Sequence, residues 1–399
     1  MPTTTAPGLG RIRAAQLLGA TVDGVVLSTV VVYASVQLGV PATTVGLVLA
    51  GAATTTLVSS VPLGVVADAV GLRRAAIVLS VGASAALVVY ALASGVRGLA
   101  VGAVLFGVTQ AALGAVRQGL AAAAVPASER IRVRASMHAL LNAGLGLGTV
   151  LGATVLAVDP ARADWVYALA AVVAIVNAVT FVGLPRTRPT RGTGPRWDPA
   201  ALRDARFMAA TGAAALVQLT MPVLSVLLPA WVVTRTDAPE WTAAVAFGVN
   251  TVLVLLLQTR IATTARDDGS ARRLAVLAAF TLPAAVIVVG AAGSTGELLA
   301  IVLLLTGTVV LTIGEMAGGA ASWHVAFTGV PDDRQGRYQS TFTLSSAAAR
   351  IVGPAAALPL VLHLGETGWI LLGLVMAAGC LVLTLPRLQP RVTSSPEAP

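Results

Sequence analysis

Long apolar stretches recur from one end of the chain to the other, each about the length that crosses a bilayer as a helix, roughly 20 residues, and short arginine-bearing connections separate them. Inside a bilayer a backbone must satisfy its own hydrogen bonds, so such stretches fold as helices. Twelve spans are expected, at 14–37, 43–66, 75–94, 98–124, 137–157, 165–184, 208–233, 241–259, 274–293, 297–325, 339–362 and 368–385. Composition agrees, since 56% of the 399 residues are hydrophobic and 11% are charged, against about 25% charged in soluble domains. The fold class is therefore an all-α membrane protein.

The charge of the chain matters by position. It carries a net +9, and all 26 basic residues are arginine. A basic chain can bind nucleic acid through its phosphates, but alternating the connections between two sides separates these arginines sharply. One side holds Arg11, Arg13, Arg73, Arg74, Arg130, Arg132, Arg134, six between Arg186 and Arg206, Arg260, Arg266, Arg272, Arg273, Arg334, Arg337, Arg387 and Arg391; the other holds Arg97, Arg162 and Arg235. Cytoplasmic loops are the ones enriched in basic residues, so both termini are expected in the cytoplasm, with membrane lipid rather than nucleic acid as the surrounding partner. The first apolar run reads as a retained helix, because "MPTTTAPGLGRIR" is too long and polar to lead a signal peptide.

The longest connection, "PRTRPTRGTGPRWDPAALRDAR", divides the spans into six and six. The expected units are a six-helix bundle over 1–184, a cytoplasmic linker over 185–206 with a short amphipathic helix in "DPAALRDARF", and a second bundle over 207–399. The halves resemble each other faintly: Gly107 and Gly114 in span 4 match Gly307 and Gly314 in span 10, and Val125-Pro126 answers Val330-Pro331. Duplicated halves are common in secondary transporters.

Four ionisable residues fall inside spans: Asp23, Arg117, Glu315 and Arg350. Each costs at least about 2.5 kcal/mol against lipid, so each should face the interior or a wet cavity. Helical neighbours lie three or four residues apart. Gln16 thus shares a face with Asp23, Gln110 with Arg117, and Thr308, Thr312, Gly319 and Ser322 with Glu315, while Thr211, Gln218 and Ser225 share one in span 7. Two readings stand. Asp23 with Arg117 and Glu315 with Arg350 form static buried ion pairs, or a carboxylate exchanges its partner or its proton as access changes, since burial and nearby cations act oppositely on carboxyl protonation. Glu315 is the first candidate for that role and Asp23 the second; Arg117 stays charged and serves as partner or anion contact.

Other chemistries find no support. No HExxH, GxSxG or Walker motif occurs, the last being impossible without lysine, so no enzyme, ATP-driven step or cofactor is expected. His138, His324 and His363 lie near helix ends without metal-ligand spacing, and Cys380 reads as a small core residue.

One connection carries a more specific pattern. "GVVADAVGLRR" resembles the loop signature between the second and third helices of the major facilitator superfamily, matching at Gly64, Asp68, Gly71, Arg73 and Arg74 and departing at Ala69 and Leu72. "GVTQAALGAV" followed by "RQGLAAA" is similar to the family's fourth helix, with Arg117 at its arginine. "GLGLGTVLGA" resembles the fifth-helix antiporter motif at Gly144, Gly148 and Gly152, with Thr149 in place of proline. "TIGEMAGGAASW", "DDRQGRYQSTFTL" and "RIVGP" look like features of the bacterial drug:proton antiporters of that superfamily.

The resemblance implies two pseudo-symmetric six-helix bundles rocking about a site lined by spans 1, 4, 7 and 10, in a monomer that exchanges protons for a small amphiphilic compound. It also implies that Asp68 meets the N-terminus of span 11 near Arg337, as a cytoplasmic gate, and that Arg350, on span 11, is a structural charge. Proton-coupled uptake of a small metabolite shares the fold and the loop, and Thr149 favours it; the 4% aromatic content counts against a sugar-stacking site. A membrane sensor or scaffold is the remaining alternative.

Overall fold

The computed structural model describes residues 8–126, 130–158, 164–185, 200–328, 330 and 335–385. Within them lie twelve long helices: α1 Leu9–Gln37, α2 Ala42–Val70, α3 Leu72–Ala91, α4 Val96–Ala123, α5 Arg130–Val158, α6 Asp164–Val182, α7 Ala205–Arg235, α8 Trp241–Ala262, α9 Asp268–Ala291, α10 Glu297–Phe327, α11 Gln335–Leu364 and α12 Glu366–Val382. Eleven are long and apolar enough to cross a membrane; α12, at 17 residues, is shorter. Most of the linker expected over 185–206 lies outside the described residues, but a single helical turn, Ala200–Arg203, precedes α7, and the Asp204 carboxylate caps α7 by accepting from the Phe207 amide at 3.0 Å.

Packing divides the helices by halves. In the first half α1 packs on α4, α5 and α6, α3 on α4 and α6, and α2 on α4; in the second, α7 packs on α10, α11 and α12, α9 on α10 and α12, and α8 on α10. Each of these contacts has its counterpart in the other half. The halves meet through α2 with α11, α5 with α8, and α1 with α7. Exposed Val78, Val172, Val179, Phe280, Leu298 and Leu374 form the apolar outer belt that a bilayer requires.

The internal match has a different register from the glycine pairing that the sequence suggests. A Cβ on Gly307 would press on Val289 of α9, whereas one on Gly107 would meet Thr56 of α2. The glycine of α4 that lies against α3, the counterpart of α9, is Gly102, over the Tyr90 ring.

Lipid tails are as apolar as leucine, so helices in a membrane associate through close packing of small residues. The stretch "GLGLGTVLGA" does this: Gly144, Gly148 and Gly152 lie directly on the α1 backbone around Leu17, Thr21 and Val25, with Ser28 and Thr29 over Gly152. Thr149, where the antiporter motif has proline, is fully buried and faces Gly248 of α8. Three helices loosen into π turns, at Tyr33–Gln37, Val223–Leu227 and Gly353–Ala357. Pro222 and Pro354 each remove a backbone donor there, and Gly353 admits the Pro222 ring, so α7 and α11 touch where both ladders are slack.

Candidate functional site

On the inner face of α1, Gln16, Gly19 and Asp23 follow one another at helical spacing. Gly19 makes the space for Arg117: any Cβ at that position would overlap the guanidinium, which lies flat on the α1 backbone. Arg117 is 2% exposed. Its Nη1 donates to the Ala15 carbonyl at a long 3.5 Å, while its Nε and the side-chain oxygens of Gln16 and Gln110 are buried without a partner. Buried polar atoms are normally paired, so these three residues form a buried polar cluster with unused hydrogen-bonding capacity.

Asp23, one turn further along α1, is half-buried, and the charges of both Arg117 and Arg350 act on it. Among the described residues no ion pair within 4.0 Å joins Asp23 to either arginine. The expected static Asp23–Arg117 pair is therefore a looser group of three charges. Arg350 corrects the expectation further, for it is exposed rather than buried and its field falls on Asp23, not Glu315. The reason is position: α11 packs on α2 and α7, whereas Glu315 turns toward α8.

Glu315 of α10 is half-buried, and its Oε2 accepts a hydrogen bond from Asn250 Nδ2 at 2.9 Å. The same amide nitrogen donates to Thr312 Oγ1 at 3.0 Å, and that hydroxyl donates in turn to the Thr308 carbonyl at 2.7 Å. Thr308 and Thr312 are fully buried between helices, and the Thr308 hydroxyl returns to the Leu304 carbonyl, so Thr308 does not line a cavity. Gln218 also differs from expectation: it spans from the break in α7 to Ser345 of α11, Nε2 to Oγ 3.1 Å. Asn250 is the residue that sequence reasoning missed. Its signal was a lone asparagine inside "AFGVNTVLVLLLQ", a polar group that pays for its place in an apolar helix only by bonding inward.

At the end of the molecule that bears the termini, α2 runs on to Val70 and stops at Gly71, whose φ of 91° suits glycine. Arg73 reaches the last carbonyls of α6, donating from Nε to Phe181 at 3.2 Å and from Nη2 to Val182. A cation there complements the helix C-terminus, so Arg73 braces its own half. Arg74 is exposed, and a Cβ on helical Gly64 would meet nothing within 4 Å. The side chains of Asp68, Arg337 and His138 lie outside the described residues.

The second half uses related devices. Arg206 caps α10 through the Val325 carbonyl at 2.9 Å, and His324 meets the Asp268 carboxylate at 2.9 Å. Just before α9, hydrogen bonds from Ser270 hold the Asp267 carboxyl below its usual range. His363 is exposed and Cys380 buried. Among the described residues no three His, Cys, Asp or Glu side chains converge as a metal site would require.

Comparison with known proteins supplies the family. Searched by sequence, no curated protein matches. Among solved structures the fold is similar to a POT family transporter in complex with 5-aminolevulinic acid (TM-score 0.78, 15% identity, covering 96% of each chain). It is likewise similar to a POT family transporter in complex with a thioalcohol conjugated peptide (0.77, 15%, covering 94% of this chain and 95% of that one) and to the nucleoside transporter NupG (0.69, 13%, covering 95% and 97%). At such identities the likeness carries the fold alone. The model of the Major Facilitator Superfamily matches residues 14–354. With twelve helices in two matching sets of six, this chain belongs to the Major Facilitator Superfamily and is a multi-pass membrane transporter.

Proposed function

We propose that the protein is a proton-coupled exporter of a small amphiphilic compound, working as a monomer in the cytoplasmic membrane with both termini in the cytoplasm. Units 1–184 and 207–399 rock about a central site on the 185–206 linker. The observation that carries this reading is Glu315, an interior carboxylate whose described partner is a neutral amide. A carboxyl group can keep that bond with or without its proton. It can therefore take a proton from one side and give it up to the other, or trade it for a cationic group of the substrate.

In proteoliposomes with an imposed pH gradient, wild-type protein is expected to move substrate against its gradient as protons run down theirs. Glu315→Gln is expected to lower that rate at least a hundredfold while the protein still inserts and purifies as a monomer. Full gradient-driven activity in the variant would remove Glu315 from the mechanism. The same vesicles decide direction, for substrate and protons moving together would establish the second reading, uptake, which Thr149 at the motif's proline position favours.

The gate belongs to the same proposal. Asp68, in the last turn of α2, accepts hydrogen bonds from the N-terminus of α11 near Arg337 and latches the halves on the cytoplasmic side; helix N-termini favour a carboxylate. α2 and α11 do pack together, which supports it. Asp68→Asn should shift the populations of inward- and outward-open states reported by crosslinking. Unchanged populations would rule the latch out.

A further inference from the structure

Where α3 ends and α6 begins, at the end of the first half away from the termini, the two helices leave a groove of about 300 Å3 between them. At its inner limit the Ser84 hydroxyl donates to the Ala171 carbonyl at 2.9 Å. That bond pins α3 to α6 and uses up the one polar side chain of the lining among the described residues. Beyond the pin the large side chains turn inward. Tyr90 and Tyr167 are fully buried and stack on each other inside the half, with ring centroids 5.2 Å apart. Their neighbours Ala91 and Ala168 are left facing the seam, and alanine is too short to close it. The matching pair in the second half, α9 and α12, fits close instead, with Gly373 against Pro283 and Gly290 against the Trp369 ring.

The surroundings decide what can fill it. Val88, Leu92 and Val172, on its rims, are exposed. Val172 belongs to the apolar outer belt, so the groove is continuous with the surface that a bilayer covers. From Ser84 to Leu92 it follows α3 for about 12 Å, within the hydrocarbon depth of one leaflet, about 15 Å. Spread over that length, 300 Å3 leaves a channel about 5 Å across, half the width of a helix. On α6, Trp165, Ala168 and Val172 share one face. The Trp165 indole, one turn nearer the end of the helix than Ala168, is 68% exposed, and such rings favour the boundary between membrane and water.

We infer that this groove binds one acyl chain of a phospholipid, from the leaflet farther from the termini, and that the chain completes the seam between α3 and α6. A hydrocarbon chain in that leaflet runs along the helices, needs no hydrogen bond and is narrow enough for the channel. A second copy of this protein would have to offer a helix, which is twice as wide. In lipid, partners are held by close packing. A chain seated between two helices meets protein on both flanks, whereas one lying on the outer belt meets it on one side, so it gains more dispersion contacts. The inference needs only the membrane-spanning fold and holds for either direction of transport.

The test uses the full-length protein in nanodiscs of palmitoyl-oleoyl phosphatidylglycerol, doped with a phosphatidylcholine that carries a photoreactive diazirine midway along one acyl chain. After illumination, peptides covering residues 84–92 and 168–175 should carry more lipid adduct than the peptides of the α9–α12 seam. Ala168→Leu, at an exposed position of the lining, lays a side chain in the groove and should bring that adduct down to the α9–α12 level. Ala168→Ser leaves the groove open and should label as the wild type does. Equal labelling of the two seams in the wild type, or labelling unchanged by Ala168→Leu, would overturn the site. Protein-to-protein crosslinks through α3 and α6 that Ala168→Leu abolishes would overturn it too, by making a second copy the occupant.

Discussion

The two interior carboxylates sit in opposite surroundings. Asp23, in the first half, feels two guanidinium groups, Arg117 from α4 of its own half and Arg350 from α11 of the other. Glu315, in the second half, meets one neutral amide from a neighbour within that half. Proton gain at Glu315 thus rearranges a single local hydrogen bond. Proton gain at Asp23 removes the negative charge on which an arginine from each half acts. For the proton-coupled exporter proposed above, the contrast divides two tasks: Glu315 for the exchange of a proton or a cationic substrate, and Asp23 for the coupling of that exchange to movement of the halves.

The largest expected effect breaks or upholds the Asp23 side of this contrast. Asp23→Asn leaves Arg117 buried without its counter-charge, and stranding one member of a buried charged group costs about 3–5 kcal/mol. The variant should show a clear fall in Tm and a shift toward states in which the halves stand apart, read by crosslinking between α1 and α7. Adding Arg117→Met removes the stranded charge and should recover most of the lost Tm, without recovering transport. Equal losses in Asp23→Asn, Arg117→Met and the double variant would mean that the two charges are independent.

Much of this arrangement was legible beforehand because the bilayer imposes it. Apolar run lengths gave the helices, and the cost of a charge in lipid singled out Asp23, Arg117 and Glu315. What the run lengths could not carry was rotation of each helix about its axis. Thr308 and Glu315 share a helical stripe, yet Thr308 faces packed neighbours and Glu315 faces Asn250, because the boundary between packed and half-buried surface cuts across the stripe. Arg350 went astray for the same reason, since charge balance alone paired it with Glu315 while the path of α11 leaves it exposed, with its charge acting on Asp23. Gly19 was silent in a chain with 40 glycines. Only the guanidinium lying on it shows why that glycine is needed. Gly107 and Gly307 misled for the converse reason: glycine is common enough here to match out of register.

A smaller effect sharpens the Glu315 side. Asn250→Leu is close in size and removes the one described donor to the Glu315 carboxylate, while the Thr312 hydroxyl keeps its bond to the Thr308 carbonyl. A hydrogen bond to a charged group contributes about 1.5–3 kcal/mol, but Glu315 is only half-buried and water can replace part of it, so proton-driven transport should fall about tenfold rather than vanish. Because Asn250 and Glu315 lie in one half and Arg117 in the other, the losses of unfolding free energy in Asn250→Leu and Arg117→Met should add in the double variant to within about 0.5 kcal/mol. Strong non-additivity would show that the two carboxylates already share one network at rest. The division of labour between the halves would then have to arise during the transport cycle, from movement, and not from the static chemistry of each site.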